Sequence, residues 1–114
     1  MSPKNIPLVS VIMNCYNGEK YLKKSLKSVL LQSYKNWEII FWDNLSTDNT
    51  FKIVNSIKEK KIKYYKSKFF LNLYEARNLA IKKAKGKYIS FLDTDDTWEK
   101  DKLKNKEKFS EKNK

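Results

Sequence analysis

The sequence predicts an α/β fold built on a mainly parallel sheet of about four strands. Short apolar, β-branched runs at residues 8–13, 37–42, 62–65 and 88–92 alternate with segments of helical periodicity. The first run is apolar on both faces, as a central parallel strand is. Polar or acidic turns close three of the four runs, at residues 14–17, 43–44 and 93–96. In a parallel sheet those turns share one edge, and ligands bind in the crevice beyond it.

The first strand runs into Asn14-Cys15-Tyr16-Asn17-Gly18, a turn by its asparagines and glycine. Residues 19–32 follow as a helix, with Tyr21, Leu22, Leu26, Val29 and Leu30 on one face and Lys20, Lys23, Lys24 and Lys27 on the other. The second strand ends at Asp43-Asn44. Ser46-Thr47-Asp48-Asn49-Thr50 then offers capping side chains and early negative charge to a second helix. Phe51, Val54 and Ile57 form its apolar stripe, flanked by Ile53, and it fades over residues 58–61. Residues 62–65 make a short, weaker strand nearer the sheet edge. After a loop at 66–72, a third helix is expected over about residues 73–85, with Ala76, Leu79, Ala80 and Ala84 inward. Small alanines there allow close approach to a sheet. Gly86 stands just past the helix end, where a positive φ is wanted. The fourth strand leads into the acidic turn. From Glu99 onward charges alternate, with only Leu103 and Phe109 apolar, which reads as a solvated helix or fraying tail. The expected organisation is one α/β unit over residues 1–98 and a charged C-terminal helix or tail over 99–114.

Composition narrows the function. Of 114 residues, 40% are hydrophobic and 14% aromatic, enough for a packed core. No apolar run approaches the ~20 residues of a membrane span. The opening residues lack the apolar region of a signal peptide. One cysteine and no histidine argue against an internal disulfide and a zinc site, and a reducing, cytoplasmic setting fits. Cys15 reads as packing, and Trp37, Trp42 and Trp98 as core or rim. No Gly-x-Gly-x-x-Gly or Gly-Lys-Ser/Thr loop is present, which disfavours a dinucleotide or P-loop site. The formal charge of +12 invites a nucleic-acid reading. Its makeup argues against one. Arg77 is the single arginine among many scattered lysines, and phosphate and base-edge recognition favour arginine's planar fork. Scattered lysine suits an anionic membrane surface instead. A lone arginine in such a chain is marked for something lysine cannot do.

The acidic turn carries the sharpest chemical signal. Asp93, Asp95 and Asp96 set three carboxylates within four residues at a strand end. Carboxylates that close repel one another. A divalent cation relieves this, and hard oxygen ligands suit Mg²⁺ or Mn²⁺, which usually also bridges substrate phosphates. A solvated acidic turn, with Asp96 or Thr97 capping a following helix, is the other reading. Two further polar strand ends on the same edge favour a ligand crevice.

Val9-Ser10-Val11-Ile12-Met13-Asn14-Cys15-Tyr16-Asn17-Gly18 with Tyr21-Leu22 resembles the opening of a family 2 glycosyltransferase of the GT-A fold, as do residues 28–34 followed by Trp37-Glu38-Ile39-Ile40. Asp43-Asn44-Leu45-Ser46-Thr47-Asp48-Asn49-Thr50 resembles the family's second motif. Ala76-Arg77-Asn78, and Gly86-Lys87-Tyr88 through Asp93-Thr94-Asp95-Asp96, resemble its third and fourth. The resemblance spans about residues 7–98, with the four motifs in order.

The resemblance implies a Rossmann-like GT-A sheet. It implies a metal-dependent transferase that moves a sugar from a nucleotide-diphosphate sugar, often UDP-linked, to a sugar, lipid or protein acceptor. The setting implied is cell-surface polysaccharide biosynthesis in the cytoplasm, with peripheral association at the inner face of the membrane. Roles follow by position. Tyr16, with Asn17 in the same turn, and Asp43 would contact the nucleotide base. Arg77 would line that pocket or approach the diphosphate. Asp95 would ligate Mn²⁺ or Mg²⁺, and Asp93 would bind the ribose or share the metal. Many members carry a second aspartate where this chain has Asn44. Members also continue for roughly 100 residues beyond the fourth motif, into an acceptor half that supplies the general base of inverting enzymes. Residues 99–114 offer no candidate, so the base is expected downstream and the chain reads as a truncated, donor-binding half. A catalytically inert nucleotide-sugar-binding fragment and a basic nucleic-acid-binding domain are the alternatives.

Overall fold

Strands whose side chains are apolar on both faces are stable only between two layers of helix, and that condition orders the sheet. The computed structural model describes residues 6–104 and 110–111. Its elements are β1 (Val9–Cys15), α1 (Glu19–Leu30), β2 (Trp37–Asp43), α2 (Thr50–Ile57), β3 (Ile62–Lys66), α3 (Leu73–Lys83), β4 (Tyr88–Phe91), a 3-10 turn (Lys102–Lys104) and β5 (Ser110–Glu111). The strand order is β3-β2-β1-β4-β5. Every residue of β2 is buried. β3, the weaker strand, lies at the edge as expected. β1 pairs in parallel with both β2 and β4, so Cys15 lies opposite Asp43 and Ile12 opposite Phe91. Only the short β5 runs antiparallel. The chain moves outward from β1 through β2 to β3, then returns across to β4. Strand order therefore reverses between β1 and β4, which is where such sheets open a crevice. No helix among the described residues is long and apolar enough to cross a membrane.

The two faces differ. Leu22, Leu26 and Val29 of α1 and Val54 of α2 pack on Val9, Val11 and Met13 of β1 and Ile39 and Phe41 of β2. On the other face Ala76, Ala80 and Ala84 bring α3 close to Ile12, Ile40, Trp42 and Ile89. Trp37 and Trp42 are both buried in the core. Four expectations need correction. Tyr21, Phe51 and Leu79 lie exposed, Leu79 at 36%; in α1 the small Ser25 takes the buried place and donates to the Leu22 carbonyl. Gly86 has no positive φ. It is glycine because a Cβ there would lie 2.6 Å from Ser10 Oγ and 2.8 Å from the Leu8 carbonyl oxygen. Its N–H donates to Ser10 Oγ (2.8 Å), which donates to the buried carboxylate of Glu38 (2.6 Å).

The segment after Trp98 is not a solvated tail over its described part. Leu103 has no exposure. Gln32, itself fully buried, receives the Leu103 N–H (2.9 Å) and donates to the Glu99 carbonyl (2.6 Å). Ser33 N–H donates to the Lys100 carbonyl (2.8 Å). Burying one leucine contributes about 1.5–3 kcal/mol, enough to dock this segment against the end of α1. Phe109 lies outside the described residues.

Candidate functional site

The loops after β1 and β2 brace one another. Asn17 adopts a left-handed conformation, φ 51°, which asparagine tolerates well. Its N–H donates to Ser46 Oγ (2.8 Å) and its side-chain oxygen accepts from the Thr47 N–H (2.7 Å). Gly18 N–H donates to Thr50 Oγ1 (3.1 Å) and Glu19 N–H to the Asp48 carboxylate (3.1 Å). The start of α1 is thus capped from the next loop, with a negative charge where the helix dipole favours one. Burial alone would raise the Asp48 pKa. Hydrogen bonds from Thr50 and from the Glu19 and Thr50 N–H groups outweigh it and hold the carboxyl below its ordinary range.

Cys15 is buried against this turn, and a Cβ on Gly18 would come 2.6 Å from its sulfur. Burial pushes the Cys15 thiol up to about 11, which removes it as a nucleophile at neutral pH. The same Gly18 position lies 3.5 Å from Thr94 Cβ, so the acidic turn after β4 abuts the turn after β1.

At the end of β2, Asp43 is 2% exposed. It accepts from the Ser46 N–H (2.9 Å) and from the Tyr64 hydroxyl. Burial, then the bond to Asp43, raises the Tyr64 pKa well above its ordinary value. Asn44 faces the loop before α3. Its amide donates to the Leu71 carbonyl (2.8 Å) and accepts from the Leu71 N–H (2.9 Å). An ionised aspartate could make only the second bond. Between these anchors Leu45 takes φ 63°, a conformation costing on the order of 1–3 kcal/mol that persists where neighbours impose it.

A cavity of about 340 Å³ opens here, lined by Asn14, Tyr16, Asn44, Phe70, Leu71 and Ala76 among others. Tyr16 is 52% exposed and meets Phe70 edge-on, ring centres 5.0 Å apart. The Asn14 amide nitrogen is buried without a hydrogen-bond partner, and such a group asks for an acceptor. Asn14 was not singled out from the sequence; the signal was a polar residue ending a strand apolar on both faces.

Arg77, on the second turn of α3, sits with its guanidinium 5.0 Å from the centre of the Phe91 ring at the end of β4. Among the described residues the only ion pair joins Lys104 and Asp101 at 3.9 Å, so no described carboxylate pairs with Arg77. Asp93 and Asp95 are exposed, in a turn closed by the Asp96 N–H on the Asp93 carbonyl (3.0 Å). Asp96 receives the Thr97 N–H (2.8 Å), and no helix starts there. The described residues hold no group of three acidic, cysteine or histidine side chains that could enclose a metal. Two exposed carboxylates fit Mg²⁺ or Mn²⁺ as a partial ligand set, since these ions are usually bound by one or two carboxylates plus substrate phosphates. Tyr16, Asn17, Asp43, Asp93 and Asp95 all stand at the carboxyl ends of their strands, and Arg77 leans over the last residue of β4.

Known proteins share this fold. The family model described as "Glycosyl transferase family 2" matches residues 10–114. The Escherichia coli UDP-Glc:alpha-D-GlcNAc-diphosphoundecaprenol beta-1,3-glucosyltransferase WfaP is 44% identical over 104 residues, covering 91% of this chain and 41% of that protein. WfgD, an E. coli enzyme of the same description, is 43% identical over 96 residues, covering 84% and 38%. The crystal structure of Staphylococcus aureus TarS 1–349 in complex with UDP-GlcNAc superposes with a TM-score of 0.81 at 33% identity, over 88% of this chain and 30% of TarS. The chain thus spans about two fifths of the length of these curated relatives. On the strength of the match over nearly its whole length, and of a Rossmann-like sheet shared with TarS, the chain belongs to glycosyl transferase family 2.

Proposed function

We propose that the chain is the donor-binding half of a glycosyltransferase that moves a sugar from a UDP-linked donor to an acceptor. The observation that carries this is a convergence at one sheet edge: an aromatic-walled cavity opens between the turns after β1 and β2 and the loop before α3, and two exposed carboxylates stand in the turn that abuts Gly18. The volume suits a pyrimidine base. Tyr16 offers the base an aromatic face, and the Asn14 amide offers a carbonyl oxygen a donor. Asp43, buried and outside the cavity's lining, keeps acceptor sites beyond those used by Ser46 and Tyr64, since an ionised carboxylate has about four, and would accept from a ring N–H of a base seated deep in the crevice. Asn17 would act by shaping the turn it braces. Arg77, without a carboxylate partner among the described residues, would meet the diphosphate. A divalent cation on Asp93 and Asp95 would neutralise charge developing on the leaving diphosphate. The relatives named for UDP-Glc and the neighbour solved with UDP-GlcNAc support a UDP-sugar donor. The relatives' diphosphoundecaprenol supports a lipid-linked acceptor, a polysaccharide setting and work at the inner membrane face.

Calorimetric titration of UDP, GDP and dTDP, with Mn²⁺ and after EDTA, tests this. UDP should bind in Mn²⁺ and lose roughly tenfold or more in affinity, ~1.4 kcal/mol, with EDTA or in Asp95→Ala. Absent nucleotide binding, or binding indifferent to both changes, would sink the assignment. A binding unit without turnover is the second reading. The one carboxylate shown bonded beyond the acidic turn, Asp101, is engaged by Ser33 and Lys104. Sugar transfer by a longer chain but not by this one would select that reading.

A further inference from the structure

We propose that the loop between β3 and α3, with the first turn of α3, docks this protein on an anionic phospholipid bilayer. This extends the membrane-face setting above but needs neither nucleotide nor acceptor.

The loop is held so that its aromatic residues cannot fold inward. Ser67 N–H donates to the Asp43 carbonyl (2.8 Å), and Ser67 Oγ to the Phe69 carbonyl (2.6 Å). Asn44 clamps Leu71 in both directions. Asn72 and Glu75 form a capping box that fixes the start of α3. Between and beside these anchors Phe69 and Tyr74 stand 73% and 77% exposed, with Phe70 and Leu73 also exposed. A monomer rarely leaves so many large side chains together in water without a partner for them.

The chemistry of the rim selects the partner. Lys66 and Lys68 flank the aromatic tip. Behind Phe69 a second cavity of about 340 Å³ is lined by Trp42, Tyr65, Leu79 and Lys83 as well, and the buried Trp42 indole N–H has no partner. Glu75 is the only carboxylate between Glu59 and Asp93, and it is engaged in the capping box. Aromatic rings resting at headgroup depth and lysines at phosphate level are what an anionic bilayer surface meets favourably. A second copy of the chain would bring two lysine rims together and be repelled. Phe70 also lines the cavity beside Tyr16, so docking would bring the crevice to the membrane.

Vesicle flotation of the 114-residue chain tests the assignment, using phosphatidylcholine with and without phosphatidylglycerol. Wild type should float only with phosphatidylglycerol, and less as salt rises. Lys66→Ser/Lys68→Ser should lower partitioning about 25-fold, at about fivefold per lysine. Phe69→Ser/Tyr74→Ser should lower it roughly tenfold. Lys23→Ser/Lys24→Ser, equal in charge change but on α1, on the opposite face of the sheet from α3, should matter less than about twofold, because charges more than a screening length of ~8 Å from the bound surface contribute little. All these positions are exposed, so folding is not at stake. Equal losses in the patch and control pairs would overturn the proposal in favour of diffuse charge. Absent binding by wild type would overturn it too. So would wild-type dimers in light scattering that the Phe69/Tyr74 variant dissolves.

Discussion

Asn44→Asp replaces one NH₂ group by oxygen and tests how the crevice is held together. Asn44 is 7% exposed, and its Nδ2 lies 2.8 Å from the Leu71 carbonyl oxygen. In the variant an ionised carboxylate oxygen would face that carbonyl at the same separation. Loss of one buried donor costs about 1–3 kcal/mol, and the aspartate answers by holding its proton. A pKa raised by about two units from ~3.9 corresponds to ~2.7 kcal/mol. The sign follows from which state keeps the proton. The folded variant binds it more tightly than the unfolded chain, so its stability falls as pH rises from about 4 to about 6 and then levels off. Below about pH 4 the neutral carboxyl can donate its O–H to Leu71 and restore the clamp. Urea denaturation should show a deficit of ~2–3 kcal/mol at neutral pH, or a drop of about 10–20 °C in Tm, nearly abolished in acid. By size alone, since amide and carboxylate are nearly isosteric, no loss would be expected. A variant as stable as wild type at neutral pH, or one whose deficit ignores pH, would refute the clamp.

Leu103→Ala should cost about 2–5 kcal/mol in the same assay, the range for emptying a leucine site; a solvated tail would lose nothing. Folded Cys15 should resist iodoacetamide at slightly alkaline pH and react promptly in urea. Burial raises its pKa from 9.0 to about 11, so it also lowers stability as pH climbs through that window; rapid labelling of the folded chain would contradict the burial. Burial and the bond to Asp43 raise the Tyr64 pKa. Stability should therefore fall as pH rises above the ordinary tyrosine value of ~10, and Tyr64→Phe should flatten that fall. An unchanged alkaline limb in the variant would mean the hydroxyl is not buried on Asp43.

The sheet was legible because both-face burial writes a continuous apolar run, as in Trp37-Glu38-Ile39-Ile40-Phe41-Trp42. Even there Glu38 breaks the run, and nothing local shows why. Its carboxylate serves Ser10 and the Lys85 N–H, contacts made across the sheet. Gly86 was legible as a glycine that matters, but for a different reason. Its neighbour Ser10 lies far away in sequence, and local rules offer only the helix end. Leu103 escaped because one leucine among charges has no periodicity; its burial depends on Gln32, which reads as a polar helix end. The motif residues stood out by type and spacing. Asn14 and Asn44 carried less signal, since an amide looks alike whether it turns a loop, clamps a backbone or waits for a ligand.

The two sides of the crevice are built to different tolerances, and that bears on how a donor would be held. The turns after β1 and β2 are cross-braced through Asn17, Asp48 and Thr50, and Asn44 ties the second of them to the loop before α3. A base entering beside Tyr16 meets a wall that loses little freedom on binding, which favours affinity. The acidic turn has one closing bond, Asp96 N–H to the Asp93 carbonyl. Its exposed carboxylates repel one another, and water screens them. Two such ligands bind a divalent cation weakly alone, and phosphates supply the missing oxygens. Under the proposed function, cation and nucleotide each raise the other's affinity by the same factor. The rigid wall would then recognise the donor, and the loose turn would hold metal only when a diphosphate is present to share it.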